Sequence, residues 1–181
     1  MSSRSVRFLC AAALLLAPAC KSSRWYDARY VPAPNEMEVR TESVSGSGVR
    51  ALASVLGVAR PDQEAGREKQ VEMRLRFENL GTVPARLSEK DLALLSADLV
   101  PFARPRVEPR DDPAIPPGET RQFDVAFPAP EEEIDWSALN LRFGLMFEDV
   151  PVVVGATFTR ERYDAYHEPH WHVGIGYGYR W

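Results

Sequence analysis

Cysteine and histidine are scarce. Of 181 residues only Cys10 and Cys20 are cysteine, and the three histidines all lie beyond residue 166. Two cysteines this close to one end exclude a disulfide-stapled miniprotein. A Ser-His-Asp triad would have to recruit its base from the last few residues. The longest uninterrupted apolar run, Phe8 to Ala17, is ten residues, about half of what a membrane-spanning helix needs. Basic charge is not in excess: 22 Lys+Arg stand against 26 Asp+Glu, a formal charge of −4. The chain therefore carries no electrostatic footprint for nucleic acid. Gly-x-Ser-x-Gly elbows, P-loops, dinucleotide fingerprints and His-Glu-x-x-His pairs are missing. What is present is 45% hydrophobic and 27% charged residues, the composition of a folded globular domain. Fifteen prolines argue against a mostly helical chain.

The first twenty residues read as an address. Arg4 and Arg7 precede the apolar run, which closes on Ala17-Pro18-Ala19-Cys20, the layout of a secretory signal. Small residues just before a cysteine resemble the lipobox of bacterial lipoproteins. That resemblance implies removal of residues 1–19, a diacylglyceryl group on the Cys20 thiol, and an acyl chain such as palmitate on the new amino terminus. Lys21, in place of the aspartate linked to inner-membrane retention, implies the outer membrane, facing the periplasm. An alternative is cleavage by ordinary signal peptidase after Ala17-Pro18-Ala19, leaving Cys20 a free thiol. Cleavage by either enzyme falls between Ala19 and Cys20 and leaves a single cysteine, unable to form an internal disulfide. A lipidated thiol is chemically occupied, and several acyl chains anchor stably where one does not.

Residues 20–35 then read as a lipid-anchored tether, polar and broken by Pro32 and Pro34, with Trp25, Tyr26 and Tyr30 placed to meet a bilayer surface. Beyond it the apolar period is two. Val71, Met73, Leu75 and Phe77 alternate with charged residues. Phe123, Val125 and Phe127 alternate with Gln122, Asp124 and Ala126, Leu139 to Phe147 with Asn140, Arg142, Gly144 and Met146, and Val152, Val154, Ala156 and Phe158 keep the same period. Glu38–Ser45 and Val49–Val58 make two weaker strands joined by Gly46-Ser47-Gly48. Leu92–Phe102 fits a bent strand or a short helix running into strand, and Glu131–Leu139 a turn or two of helix. Seven or eight short strands with Pro/Gly turns predict a single mainly-β domain over 36–160, an antiparallel β-sandwich. Phe77, Phe123, Leu141 and Phe143 are its expected core.

Within that body, Phe77-Glu78-Asn79-Leu80-Gly81 ends one strand. Ile115-Pro116-Pro117-Gly118-Glu119-Thr120 leads into another that ends Val125-Ala126-Phe127-Pro128. An Asn-x-Gly turn, a Pro-Gly turn and a Phe-x-Val-x-Phe strand resemble small immunoglobulin-like domains of bacterial envelope proteins, over residues 65–160. The resemblance implies binding, spacing or assembly, and carries no catalytic residues.

Elsewhere the charged groups read as solvated loops. Glu131-Glu132-Glu133 lacks the spacing of a calcium loop. Arg104, Arg106 and Arg110 lie in the Pro/Arg-rich stretch 102–117, within reach of acidic glycan or lipid headgroups if they do more than meet solvent. The tail 161–181 is more distinctive. His167, His170 and His172, with Glu168 nearby, place three imidazoles in six residues, a set that zinc or copper accepts. After them Gly174, Gly176 and Gly178 alternate with Ile175, Tyr177 and Tyr179, and the chain ends on Trp181. One such strand cannot make a membrane barrel. It suits an added edge strand or a tail whose Trp171, Tyr177, Tyr179 and Trp181 meet a partner. The reading is a non-enzymatic envelope lipoprotein with no resident cofactor beyond its lipid. It acts as a binding, assembly or structural module at the membrane, toward an envelope protein or glycan. A metal-binding protein using the histidine cluster is the alternative, and a hydrolase the third class.

Overall fold

In the computed structural model, residues 28–61, 66, 68–110 and 112–161 are described. They form ten strands: β1 (Tyr30–Val31), β2 (Asn35–Val39), β3 (Val49–Ala59), β4 (Gln70–Asn79), β5 (Ala85–Ser96), β6 (Arg106–Glu108), β7 (Ala114–Ile115), β8 (Thr120–Pro128), β9 (Ala138–Phe147) and β10 (Val150–Arg160). Two five-stranded antiparallel sheets result, in the orders β2-β3-β4-β8-β6 and β1-β10-β9-β5-β7. They face each other as a β-sandwich, with no helix among the described residues.

Alternation sets which face each strand buries. On β4, Val71, Met73, Leu75 and Phe77 point inward and meet Phe127, Val125, Phe123 and Arg121 of β8 in register. On β9, Leu139, Leu141, Phe143, Leu145 and Phe147 are all buried. Phe77 stands between the layers, 5.5 Å from the Phe143 ring and 5.9 Å from the Phe123 ring. Phe77, Phe123, Leu141 and Phe143 are thus core, as the alternation predicts.

Two strands change phase. An extra residue, Leu56, enters β3 between Val55 and Gly57, so burial moves from odd positions up to Val55 to Val58. On β5 the register jumps from Ser88↔Gly144 to Ala93↔Arg142, and burial moves from Leu87 to Leu92 and Leu94. Asp91, whose carboxylate accepts from the Ser88 hydroxyl at 2.6 Å, folds over Gly144. A Cβ at 144 would come within 2.7 Å of the Asp91 Cβ, so this position needs glycine.

At one end of the sandwich, Asn79 ties four segments together. Its side-chain amide donates to the carbonyls of Val83 and Ile115 at 2.9 and 2.8 Å, and its oxygen accepts from the Gly81 amide at 3.0 Å. Its own backbone bonds to Glu119 and Gly118. The following turn lies backbone to backbone on Gly46-Ser47-Gly48: Gly81 donates to Gly48, and Thr82 to Gly46. A Cβ at Gly81 would collide with the Gly46 carbonyl.

Four expectations change. The sandwich takes in Tyr30 and Val31, so ordered strand begins before residue 36. The strand expected at Glu38–Ser45 is instead Asn35–Val39. Thr41 and Ser47 then close a turn through their own backbone–side-chain bonds, with the Ser47 hydroxyl donating to the Thr41 carbonyl at 2.8 Å. Leu92–Phe102 is strand up to Ser96 followed by a tight turn, with Leu99 in the left-handed region. The Ser96 hydroxyl donates to Asp98 there and holds its carboxyl below the usual value. Glu131–Leu139 forms no helix. Asp135 spends its backbone groups on Asp98 and Ala97 and its carboxylate on the Ser137 amide at 2.8 Å, so no helical ladder forms.

Candidate functional site

Cys20 and the tail residues His167, His170, Trp171, His172, Tyr177, Tyr179 and Trp181 lie outside the described residues. The structure does describe the points from which both terminal segments leave. β1 pairs with the last residues of β10, Tyr30 opposite Arg160 and Val31 opposite Thr159. One step further out, the Glu161 amide donates to the Arg29 carbonyl at 2.8 Å, and the Arg29 guanidinium meets the Glu161 carboxylate at 3.3 Å. The segment from Cys20 and the segment toward Trp181 thus diverge from adjacent strands at one end of the sandwich. Ala28 lies eight residue steps from Cys20, a reach of at most about 29 Å.

That end has an aromatic floor. Tyr30, expected in the tether against a bilayer, is instead wholly buried, and its hydroxyl donates to the Trp136 carbonyl at 2.9 Å. Trp136 stacks edge-on against Phe102 at 5.7 Å, and the Lys69 ammonium lies 4.1 Å from its ring centre. Burial, partly offset by the Arg160 charge and reinforced by Asp135, pushes the Tyr30 phenol up to about 12. The folded chain holds the phenol neutral where an unfolded chain ionises it near 10. Its contribution is complete below pH 10 and disappears as pH rises through 12. Tyr30→Phe should therefore flatten the loss of thermal stability between pH 10 and 12. A melting profile as steep as the parent's there contradicts this assignment.

On the outer face of the β2-β3-β4-β8-β6 sheet, charges pair across strands. Arg50 bridges Glu36 and Glu78, both at 3.2 Å, and Arg74 grips Asp124 through two bonds of 2.8 and 3.1 Å. Beside them an open concavity of about 290 Å³ is lined by Leu56, Glu72, Arg106 and Glu108. Arg106 donates to Gln70 at 3.1 Å, and Gln70 donates to Glu72 at 3.1 Å. Both signs are represented and bonded to one another, so this face presents no single-sign field to a ligand. Ser88 and Ser96 each donate to a carboxylate in their own turns, which uses them structurally. Among the described residues no group of three metal-ligating side chains comes together.

Among the described residues, one open feature is the edge of β10. From Val150 to Phe158 it pairs with β9 on one side, and β1 covers the other side only at Thr159 and Arg160. Val150, Val152 and Val154 point inward yet remain partly exposed, as does Met37 on β2 of the opposite sheet. Strand periodicity exposes the valines' alternation but not this open edge, because the edge depends on where β1 stops.

No protein family and no curated protein sequence matches the chain. Among solved structures, the GAE domain of GGA2p from Saccharomyces cerevisiae is similar over 71% of this chain and 99% of its own, at 10% identity and a TM-score of 0.35. A FixG-related protein from Vibrio parahaemolyticus is similar over 62% of this chain and 97% of its own, at 16% identity and a TM-score of 0.31. The β-sandwich assignment rests on the two facing antiparallel sheets of the chain itself.

Proposed function

We propose that this chain is a non-enzymatic envelope lipoprotein. It is acylated at Cys20, held at the outer membrane facing the periplasm, and built on an immunoglobulin-like domain that serves as a binding or assembly module. Its contact with an envelope partner is carried by residues 161–181, through Trp171, Tyr177, Tyr179 and Trp181. One observation supports the reading most: Arg29 pairs with Glu161, so the chain leading back to Cys20 and the chain leading on to Trp181 both leave the domain from the same end. A partner held there stays next to the membrane. The opposite end, at the Glu148-Asp149 turn, lies eleven strand residues away along β10, or about 36 Å.

Photocrosslinking in intact cells tests this directly. A photoreactive residue in place of Trp171 should yield a discrete crosslinked species, and the same residue in place of Glu148 should not. Crosslinks from position 148 alone would place the contact at the wrong end and overturn the reading.

A further inference from the structure

The edge of β10 exposes a defined set of backbone groups. The Arg160 amide bonds toward β9, to Ser137, whereas the Glu161 amide bonds the other way, to Arg29. Backbone groups of odd-numbered residues therefore face the open side. The Asn35 side chain caps one of them, the Thr157 carbonyl, at 3.2 Å. Below it, Val153 and Gly155 offer both amide and carbonyl, and Pro151 a carbonyl only. Proline is tolerated at 151 because its missing amide falls on the open side and leaves the β9 ladder whole. Beside this edge, Val150, Val152, Val154 and Met37 leave an apolar seam between the two sheets partly uncovered.

We propose that the seam is filled by the chain's own carboxy-terminal segment, Val173–Trp181, added antiparallel to β10 as an eleventh strand. Residues 173–181 lie outside the described residues, and four observations select them as the occupant. Their pattern has period two: Val173, Ile175, Tyr177, Tyr179 and Trp181 share one face, and Gly174, Gly176, Gly178 and Arg180 the other. The large face matches an apolar seam, and the glycine face needs no cover. The direction is right, because β10 ends beside β1 on the edge whose continuation is open, so an antiparallel return past β1 runs from Gly155 toward Pro151. The reach suffices: eleven residues, 162–172, extend to about 38 Å, more than the length of β10. Finally, a tethered segment competes at an effective concentration near the millimolar range, which favours it over a second copy. The proposal goes beyond the function proposed above and narrows its contact set: with Tyr177, Tyr179 and Trp181 packed in the seam, the partner is left to meet Trp171 and the histidines at the anchored end.

Residue-resolved amide exchange on the full chain carrying Cys20→Ser, with no partner or membrane, separates this proposal from the functional one. The Val153 and Gly155 amides should be protected. In the double variant Ile175→Lys/Tyr177→Lys they should exchange roughly tenfold or more faster. Val152 and Val154, bonded to β9, should not change. Equal exchange in parent and variant overturns the proposal. So does protection that grows with protein concentration alongside a dimer, which assigns the seam to a second copy.

Discussion

Asn79→Ala should destabilise the domain by about 3 kcal/mol, a fall in melting temperature on the order of 10 °C for a chain this size. Alanine keeps the backbone conformation open but removes three hydrogen bonds at once. The carbonyl of Ile115, a residue wholly shielded from solvent, loses the 2.8 Å bond from the Asn79 amide. Val83 loses its 2.9 Å bond, and the Gly81 amide loses one of its two acceptors, keeping the Gly48 carbonyl. Asn79→Asp should be worse than alanine, since it keeps the acceptor but turns negative charge toward two carbonyl oxygens. Thermal melts of the three proteins check this. An alanine variant within a degree or two of the parent would show that the four segments meeting at Asn79 are held by something else.

Phe143→Ala should cost about 3–5 kcal/mol, the range for emptying a large aromatic site in a closed core, enough to unfold many small domains. Phe143 is fully buried, and its ring meets Phe77 edge-on, which in turn touches Phe123. Both sheets close on this trio, so neither can relax into the space without losing register. Denaturant melts should show a lower midpoint with an unchanged slope. A midpoint matching the parent's would mean the alternation of β9 has been assigned to the wrong face.

The strands that announced themselves are those without interruption. β4, β8, β9 and β10 keep one phase from end to end, so counting by twos finds their inner faces. β5 was illegible for the opposite reason. Its inward residues are Leu87 and then Leu92 and Leu94, and only the four-residue excursion over Gly144 explains the change of parity. β1, β6 and β7 are two or three residues long and exist because a longer neighbour offers them an edge, information that no local window contains. Tyr30 was misplaced on the same account: an aromatic between polar residues and prolines reads as tether until its partner, 130 residues later at Arg160, is known. The candidate site divides the same way. The chemistry of Cys20 and of the aromatic tail is visible in their residues. That the segments bearing them leave from one end depends on β1 meeting β10, a long-range pairing.

Mass spectrometry of the amino-terminal peptide, from protein extracted out of the membrane fraction, tests the anchored-module account most directly. The account predicts a peptide that begins at Cys20 and carries the mass of a diacylglyceryl group and an amide-linked acyl chain. A chain that still begins at Met1, or a mature chain whose Cys20 is a free thiol, would contradict it.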